Sequence, residues 1–487
     1  MENFITQRIS RLFICAAIGA ASSLFISCKT VNKSVSDLPE VAKRALYDTS
    51  SVYYADYSNY PKERRSLPVG VFDSGTGGLT VLEAILALDE HNNATGESGP
   101  DGIPDFEKEP FTYLADQANM PYGNYYSEGK GDYLKELIVK DALFLTTGEK
   151  KSKVIVVACN TATAYGLDII NTMFEEGGTG LKAIGVINVA SKAAIESVAE
   201  DGDIAIGVLA TVGTIASGGY DRTIRKLGEE YEEINSVEVF NQGGAGFAEA
   251  VDSDPGYIDR KAVGVRSSYR GPKLGTDSLS IKEDLLKVYN FDTVSSALLT
   301  SRVSGKLNEV QLNSPGNYAR FHLVSLMEKI RKSGKKVKLG AIILGCTHYP
   351  YYTDTLEKCL KELINYKING EYPYKDLVSN NFHFIDPSIF VARELYDYLK
   401  ENSLLSGSLN TNKVTPYISV PADNVPSSAL DSEGWFKYEF KYGRKTGDEG
   451  QNVKILTFSS KNINSDNLNR IKNRLPLSYS FIKQFTN

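Results

Sequence analysis

Two cysteines stand in matching settings far apart in the chain, and a thiol can both take and give a proton near neutral pH once its surroundings tune it. The first closes the run Lys153-Val-Ile-Val-Val-Ala-Cys159-Asn-Thr-Ala-Thr163; the second closes Leu339-Gly-Ala-Ile-Ile-Leu-Gly-Cys346-Thr-His-Tyr-Pro350. Each run has the length and β-branched content of a buried parallel strand, followed by small hydroxyl or amide residues and a helical pattern. In an open α/β sheet, ligands bind outside the carboxyl ends of the strands. Two thiols delivered to two such ends describe a site with one acid/base group on either side of a substrate. A lone cysteine after a strand is ordinarily an inert core thiol. Two in duplicated settings argue against that.

The elements that would position them repeat as well. Pro68-Val-Gly-Val-Phe-Asp73-Ser-Gly-Thr-Gly-Gly78 reads as strand, tight turn and the helix 79–88. Asp203-Ile-Ala-Ile-Gly-Val-Leu-Ala-Thr211-Val-Gly-Thr214 reads the same way, with a helix from Ser217 on. The order strand-turn, strand-Cys, strand-turn, strand-Cys predicts an α/β fold of two pseudo-symmetric parallel-sheet lobes facing a central cleft. Any α/β protein repeats such units, so the pattern alone leaves true duplication open.

Five strings carry a resemblance to the glutamate racemases of the aspartate/glutamate racemase superfamily. They are Gly70-Val-Phe-Asp-Ser-Gly-Thr-Gly-Gly-Leu-Thr-Val81; Ala115-Asp116 with Pro121-Tyr122-Gly123; Cys159-Asn160-Thr161-Ala162; Gly207-Val-Leu-Ala-Thr211 with Thr214 and Ser217; and Gly345-Cys346-Thr347-His348-Tyr349-Pro350. They follow the family's order across residues 68–400. The resemblance implies a cofactor-independent isomerase that interconverts L- and D-glutamate. Racemisation removes the α-proton from one face and returns a proton to the other, which two opposed bases do most simply. By resemblance, Cys159 and Cys346 are that pair, with Asp73 helping Cys159 and His348 helping Cys346.

A second acidic helper in the family falls here in Gln242-Gly-Gly-Ala-Gly-Phe-Ala-Glu-Ala-Val-Asp252. The family's Cys and Pro are replaced by Gly244 and Ala245, and the acid is Asp252, with Glu249 a rival one turn earlier. The resemblance makes Ser74, Asn160, Thr161 and Thr347 substrate-binding, with Tyr122 and Gly123 on a covering loop. Thr211 and Thr214 open a second-lobe helix whose free N–H groups suit a carboxylate. Aspartate or broad-spectrum racemisation, and an exported amino-acid-binding protein without turnover, are the competing readings.

No cofactor or metal is expected. Gly75-Thr-Gly-Gly78 lacks both the Lys-Ser/Thr ending of a phosphate loop and the dinucleotide spacing. Cys346 and His348 lack the further clustered ligands that zinc needs. The expected partner is a small amino acid; a net charge of −6 gives no reason to expect nucleic acid. A homodimer is an allowed assembly. His322 and His383 lie outside the motifs, as surface or structural residues.

Arg8 and Arg11 precede an apolar stretch from Leu12 to Ile26 and then Ser27-Cys28-Lys29, the form of a secretory signal. Leu24-Phe-Ile-Ser-Cys28 resembles a bacterial lipobox. The expectation is a signal peptide at 1–27, lipidation at Cys28, a tether at 28–67 with a short helix around 38–47, and export to a bacterial cell envelope with a lipid anchor as the only membrane contact. Export sets aside the peptidoglycan-precursor role that the resemblance implies. The racemase core is expected at 68–400, with insertions at 91–110, 253–318 and 365–381; the first reads as a Gly, Asp and Pro-rich surface loop, the second as helical around 280–288 and 294–299, and the last as polar. Residues 401–487 are expected to form a small α+β or β-rich appendage, with strands at 414–420, 435–442 and 453–458 and a helix at 466–474.

Overall fold

The computed structural model describes residues 38–198, 202–407, 414–447 and 452–484. The expected signal peptide, Cys28 and the first part of the tether lie outside the described residues. Two mostly parallel sheets form the framework. The first orders β12-β11-β2-β1-β3-β4 and the second β10-β9-β5-β6. In the first, β1 is Val69–Asp73, β2 Phe111–Ala115, β3 Val154–Val157 and β4 Ala183–Gly185. In the second, β5 is Asp203–Ala210, β6 Ser236–Gly243, β9 Lys338–Gly345 and β10 Val378–Ile385.

The apolar runs read from sequence become central strands because helices cover both faces of each sheet, and only side chains without polar atoms fit there. All of β1, β2 and β3 is buried. β1 lies between β2 and β3, both parallel to it, so Asp73 ends its strand level with Ala115. β5 lies between β6 and β9 in the same manner, bringing Ala210 level with Gly345. The carboxyl ends of the central strands therefore carry the Asp73 turn and Cys159 in one lobe, and the Thr211 turn and Cys346 in the other.

Several expectations at the periphery need correction. Residues 38–67 are not a free tether. The helix Glu40–Tyr47 forms as expected, and its Val41, Ala42 and Ala45, with Ala55, Tyr57 and Tyr60, are buried against the first lobe in one cluster with Leu137, Ile170 and Phe174. The insertion 91–110 is only partly a surface loop: Phe106 is fully buried, and the His91 ring stacks on Tyr396 at 4.0 Å. In 253–318, the helix expected at 294–299 is only the short 3-10 helix Val294–Ser296, after which the chain enters an antiparallel hairpin of β7, Leu298–Val303, and β8, Lys306–Leu312. Val310 and Leu312 anchor that hairpin in the second-lobe core. The polar insertion 365–381 ends inside β10, which begins at Val378.

The C-terminal extension is α+β and is built onto the first lobe. β11, Val414–Pro421, pairs in parallel with β2, and β12, Val453–Thr457, closes the edge antiparallel to β11. Pro416 stands at the last rung beside β12, where its carbonyl accepts from the Phe458 N–H at 2.8 Å, so its missing N–H falls at the end of that ladder. The strand expected at 435–442 is instead the helix Tyr438–Gly443. A period of two also contains i, i+4 pairs, and these win: Phe436 meets Phe440 at 5.2 Å and Tyr438 meets Tyr442 at 4.5 Å. Helices Ser465–Arg474 and Pro476–Gln484 complete the extension.

Candidate active site

β1 delivers Asp73 to a turn whose backbone closes on it. Its Oδ2 accepts from the N–H groups of Gly75 at 3.2 Å and Gly78 at 2.8 Å, while Oδ1 is buried without a hydrogen-bond partner. Glycine is required nearby on steric grounds: a Cβ on Gly77 would stand 2.4 Å from Thr347 Oγ1 and 2.7 Å from His348 Cε1. The first-lobe turn thus lies directly against the second-lobe motif.

β3 delivers Cys159 as the N-cap of the helix Asn160–Glu176. Its sulfur accepts from the Ala162 N–H at 3.4 Å and lies 3.6 Å from Ser74 Oγ. Across the cleft, β9 delivers Cys346, whose sulfur is 3.6 Å from His348 Nδ1. His348 Nε2 is 3.1 Å from Asp252 Oδ2, and Asp252 Oδ1 accepts from Arg470 Nη2 at 2.6 Å. Glu249, the rival acid, instead accepts from Asn124 Nδ2 at 2.8 Å. Asp252 is therefore the carboxylate joined to His348.

One cavity of about 20 Å³ gathers both thiols. Its lining is Ser74, Pro121, Tyr122, Gly123, Cys159, Asn160, Thr161, Thr211, Ala248, Cys346, Thr347 and His348. Thr214 stands just behind, with its hydroxyl 3.0 Å from that of Thr161 and 2.9 Å from that of Thr211. Tyr122 reaches the cavity by its loop, while its hydroxyl donates to the buried carboxylates Asp116 and Asp141 at 2.6 Å each. A Cβ on Gly123 would meet Thr211 at 2.7 Å, so this loop too rests on the second lobe.

The electrostatics of the two sides differ. Burial pushes the Cys159 thiol up and the Asp73 charge adds to that, while the Ala162 N–H and Ser74 pull weakly the other way. Cys159 therefore rests as a thiol despite its helix N-terminus. Burial also raises Asp73, against His348 and the turn N–H groups. Burial alone would discharge His348, but the Asp252 carboxylate outweighs it and lifts the imidazole well above its ordinary value. Asp252 feels the same opposition of burial, yet His348 and Arg470 hold it below the usual carboxylate range. The second lobe thus carries a charged imidazolium–carboxylate pair, and the first a neutral thiol.

Arg470 is the residue that sequence reasoning missed. It sits in the polar stretch Asn467-Leu-Asn-Arg-Ile-Lys-Asn-Arg474, where nothing in residue type or spacing distinguishes it. The remaining histidines hold other places. His322 is fully buried, its Nε2 3.1 Å from the Ala245 carbonyl, and burial pushes it down to about 3. His383 is exposed beside Asn381. Cys359 packs in the second-lobe core.

Two lobes that each bring a thiol to a shared cavity, with a carboxyl close to one and an imidazole beside the other, define a protein built for proton transfer at a carbon held between two faces. No family model matches the chain. It is 26% identical over 357 residues to the glutamate racemase of Carboxydothermus hydrogenoformans, covering 73% of this chain and 88% of that one. It is 24% identical over 369 residues to the glutamate racemase of a Sulfurihydrogenibium species, covering 72% of this chain and 97% of the relative. A solved glutamate racemase isoform from Bacillus anthracis superposes with a TM-score of 0.42 at 23% identity, over 72% of this chain and 88% of that one. The chain is homologous to the glutamate racemases.

Proposed function

We propose that this chain is a cofactor-independent glutamate racemase working through two thiols. The observation that carries the reading is the meeting of Cys159 and Cys346, from opposite lobes, in one cavity. In one direction the Cys346 thiolate takes the α-proton, the electron pair stays on the carbon as a carbanion, and the Cys159 thiol gives its proton to the opposite face. The enzyme is left with the thiol and thiolate exchanged, ready for the reverse reaction. As an imidazolium, His348 donates from Nδ1 toward Cys346 and stabilises its thiolate, with Asp252 holding the ring. The Asn160–Glu176 helix N-terminus and the hydroxyls of Thr161, Thr211 and Thr347 offer donors to the substrate carboxylates, stabilising charge that develops at the reacting centre.

The test uses reduced protein and L-glutamate in deuterated buffer. The expected product is D-glutamate carrying deuterium at the α-carbon, with turnover falling about 100- to 10,000-fold in Cys159→Ala and in Cys346→Ala. Undiminished racemisation in either variant would remove the two-thiol assignment.

We also propose that the chain is exported and lipidated at Cys28, supported by the basic start, the apolar stretch and Leu24-Phe-Ile-Ser-Cys28. Incorporation of a labelled fatty acid in the parent, lost in Cys28→Ser, is the expected outcome. Equal labelling of both forms, or of neither, rejects it.

A further inference from the structure

The C-terminal extension is anchored on the first lobe. β11 and β12 widen that sheet, and the N–H groups of Leu477 and Ser478 donate to Glu83 at 3.0 and 2.7 Å. From this base Arg470 crosses to the second lobe. Its Nη1 donates to the Val251 carbonyl, its Nη2 donates to Asp252, and its guanidinium lies 5.0 Å from the Tyr351 ring centroid. Only 14% of the side chain is exposed. Asp252 thus has one oxygen on Arg470 and the other on His348. A carboxylate fixed at both oxygens cannot rotate, so it holds Nε2 of the imidazole and leaves Nδ1 aimed at Cys346.

We infer that Arg470, supplied by the C-terminal extension, is a positioning residue for the Cys346–His348 pair and acts through Asp252. The inference rests on the racemase reading of the same site. The charged and titratable groups facing this pair are Asp73 and Cys159 from the first lobe, Tyr220 from the helix 219–228, Glu249 and Asp252 from the helix 247–251 and its end, Tyr349 and Tyr351 from the loop after Cys346, and Arg470 itself. Of these, Arg470 is the cation. Without it Asp252 pairs with His348 alone, no neighbouring positive charge opposes the imidazolium, and the ring keeps its proton to higher pH.

Arg470→Met and Arg470→Lys test this. In Arg470→Met, kcat is expected to fall about 10- to 100-fold, the loss of one charge-assisted hydrogen bond, with little change in KM. The arm of the kcat/KM profile that His348 sets moves to higher pH. Arg470→Lys keeps the charge but not the fork, so it returns the arm toward its parental position while recovering only part of kcat. The imidazole NMR titration of His348, one of four histidines, gives the same answer without turnover and moves to higher pH in Arg470→Met. If the parent fails to racemise glutamate, the racemase reading falls while the NMR titration still decides the role of Arg470. An unmoved His348 titration, or a kcat loss matched by a rise in KM with the pH arm unmoved, overturns the inference and leaves the extension as packing.

Discussion

At Asp252 a single carboxylate is shared by a cation on each oxygen, and its contribution to stability depends on pH through both partners. Its native pKa is depressed, so its contribution to stability is full above its unfolded value of about 4 and is lost as pH falls through the native value. His348 is raised, so its contribution is full below its unfolded value of about 6.5 and is lost as pH rises through the native value. Asp252→Asn should therefore lower stability by about 3–5 kcal/mol, the cost of breaking a buried pair. The gap from the parent should be widest between pH about 4 and about 6.5 and narrow on the alkaline side. Urea unfolding across a pH series measures it; a gap that keeps widening above pH about 6.5 would refute the pairing. The choice between Asp252 and Glu249 is not legible in the sequence, because residues three apart share one helix face and either could have met His348. The thiols, Asp73 and His348 are legible because each closes a strand at a turn. Arg470 is not, because its partner comes from the other lobe.

The elements divide along the same line. β1, β3, β5 and β9 announce themselves because burial on both faces restricts them to apolar residues. The pairing of β11 with β2 leaves no such mark. A sheet edge offers backbone N–H and C=O groups to any strand that reaches it, whatever its side chains. The extension could therefore be recognised as containing strands but not placed. Helix 438–443 shows a further limit: aromatics at every second position serve a half-buried strand and a helical stripe equally, and tertiary contacts decide. Placement matters here because it carries more than Arg470. Lys441 donates to the Met120 carbonyl at 2.6 Å, and Arg444 donates to Asn119 at 2.5 Å and to Tyr125 at 3.2 Å. The covering loop around Pro121–Gly123 is thus braced from behind by the same segment that clamps Asp252.

Across the whole molecule, the end of the first sheet away from the site is tied by one buried cation. Lys153 pairs with Glu109 and donates to the carbonyls of Arg65 at 3.0 Å and Leu404 at 2.8 Å, joining the N-terminal segment, β3 and the chain beyond the helix Pro387–Glu401. At the active-site end the lobes meet through Gly77 against His348, Gly123 against Thr211, the Thr161 hydroxyl beside those of Thr211 and Thr214, Asn124 on Glu249, Tyr220 on Asn160 and Arg470 on Asp252. The cavity enclosed there is about 20 Å³, which holds about one water and is far too small to admit a five-carbon diacid. The lobes must part to load and unload, and they meet again for chemistry. Isotopes record the consequence. Cys159 and Cys346 are each only 6% exposed, so with substrate beside them their hydrogens trade slowly with bulk solvent, and a proton lifted from L-glutamate stays on sulfur through a turnover. Early in a reaction in deuterated buffer, newly made D-glutamate should already be deuterated while recovered L-glutamate remains protiated. Mass spectrometry of the separated enantiomers would read this directly, and equal early labelling of both would mean that the cleft stays wet.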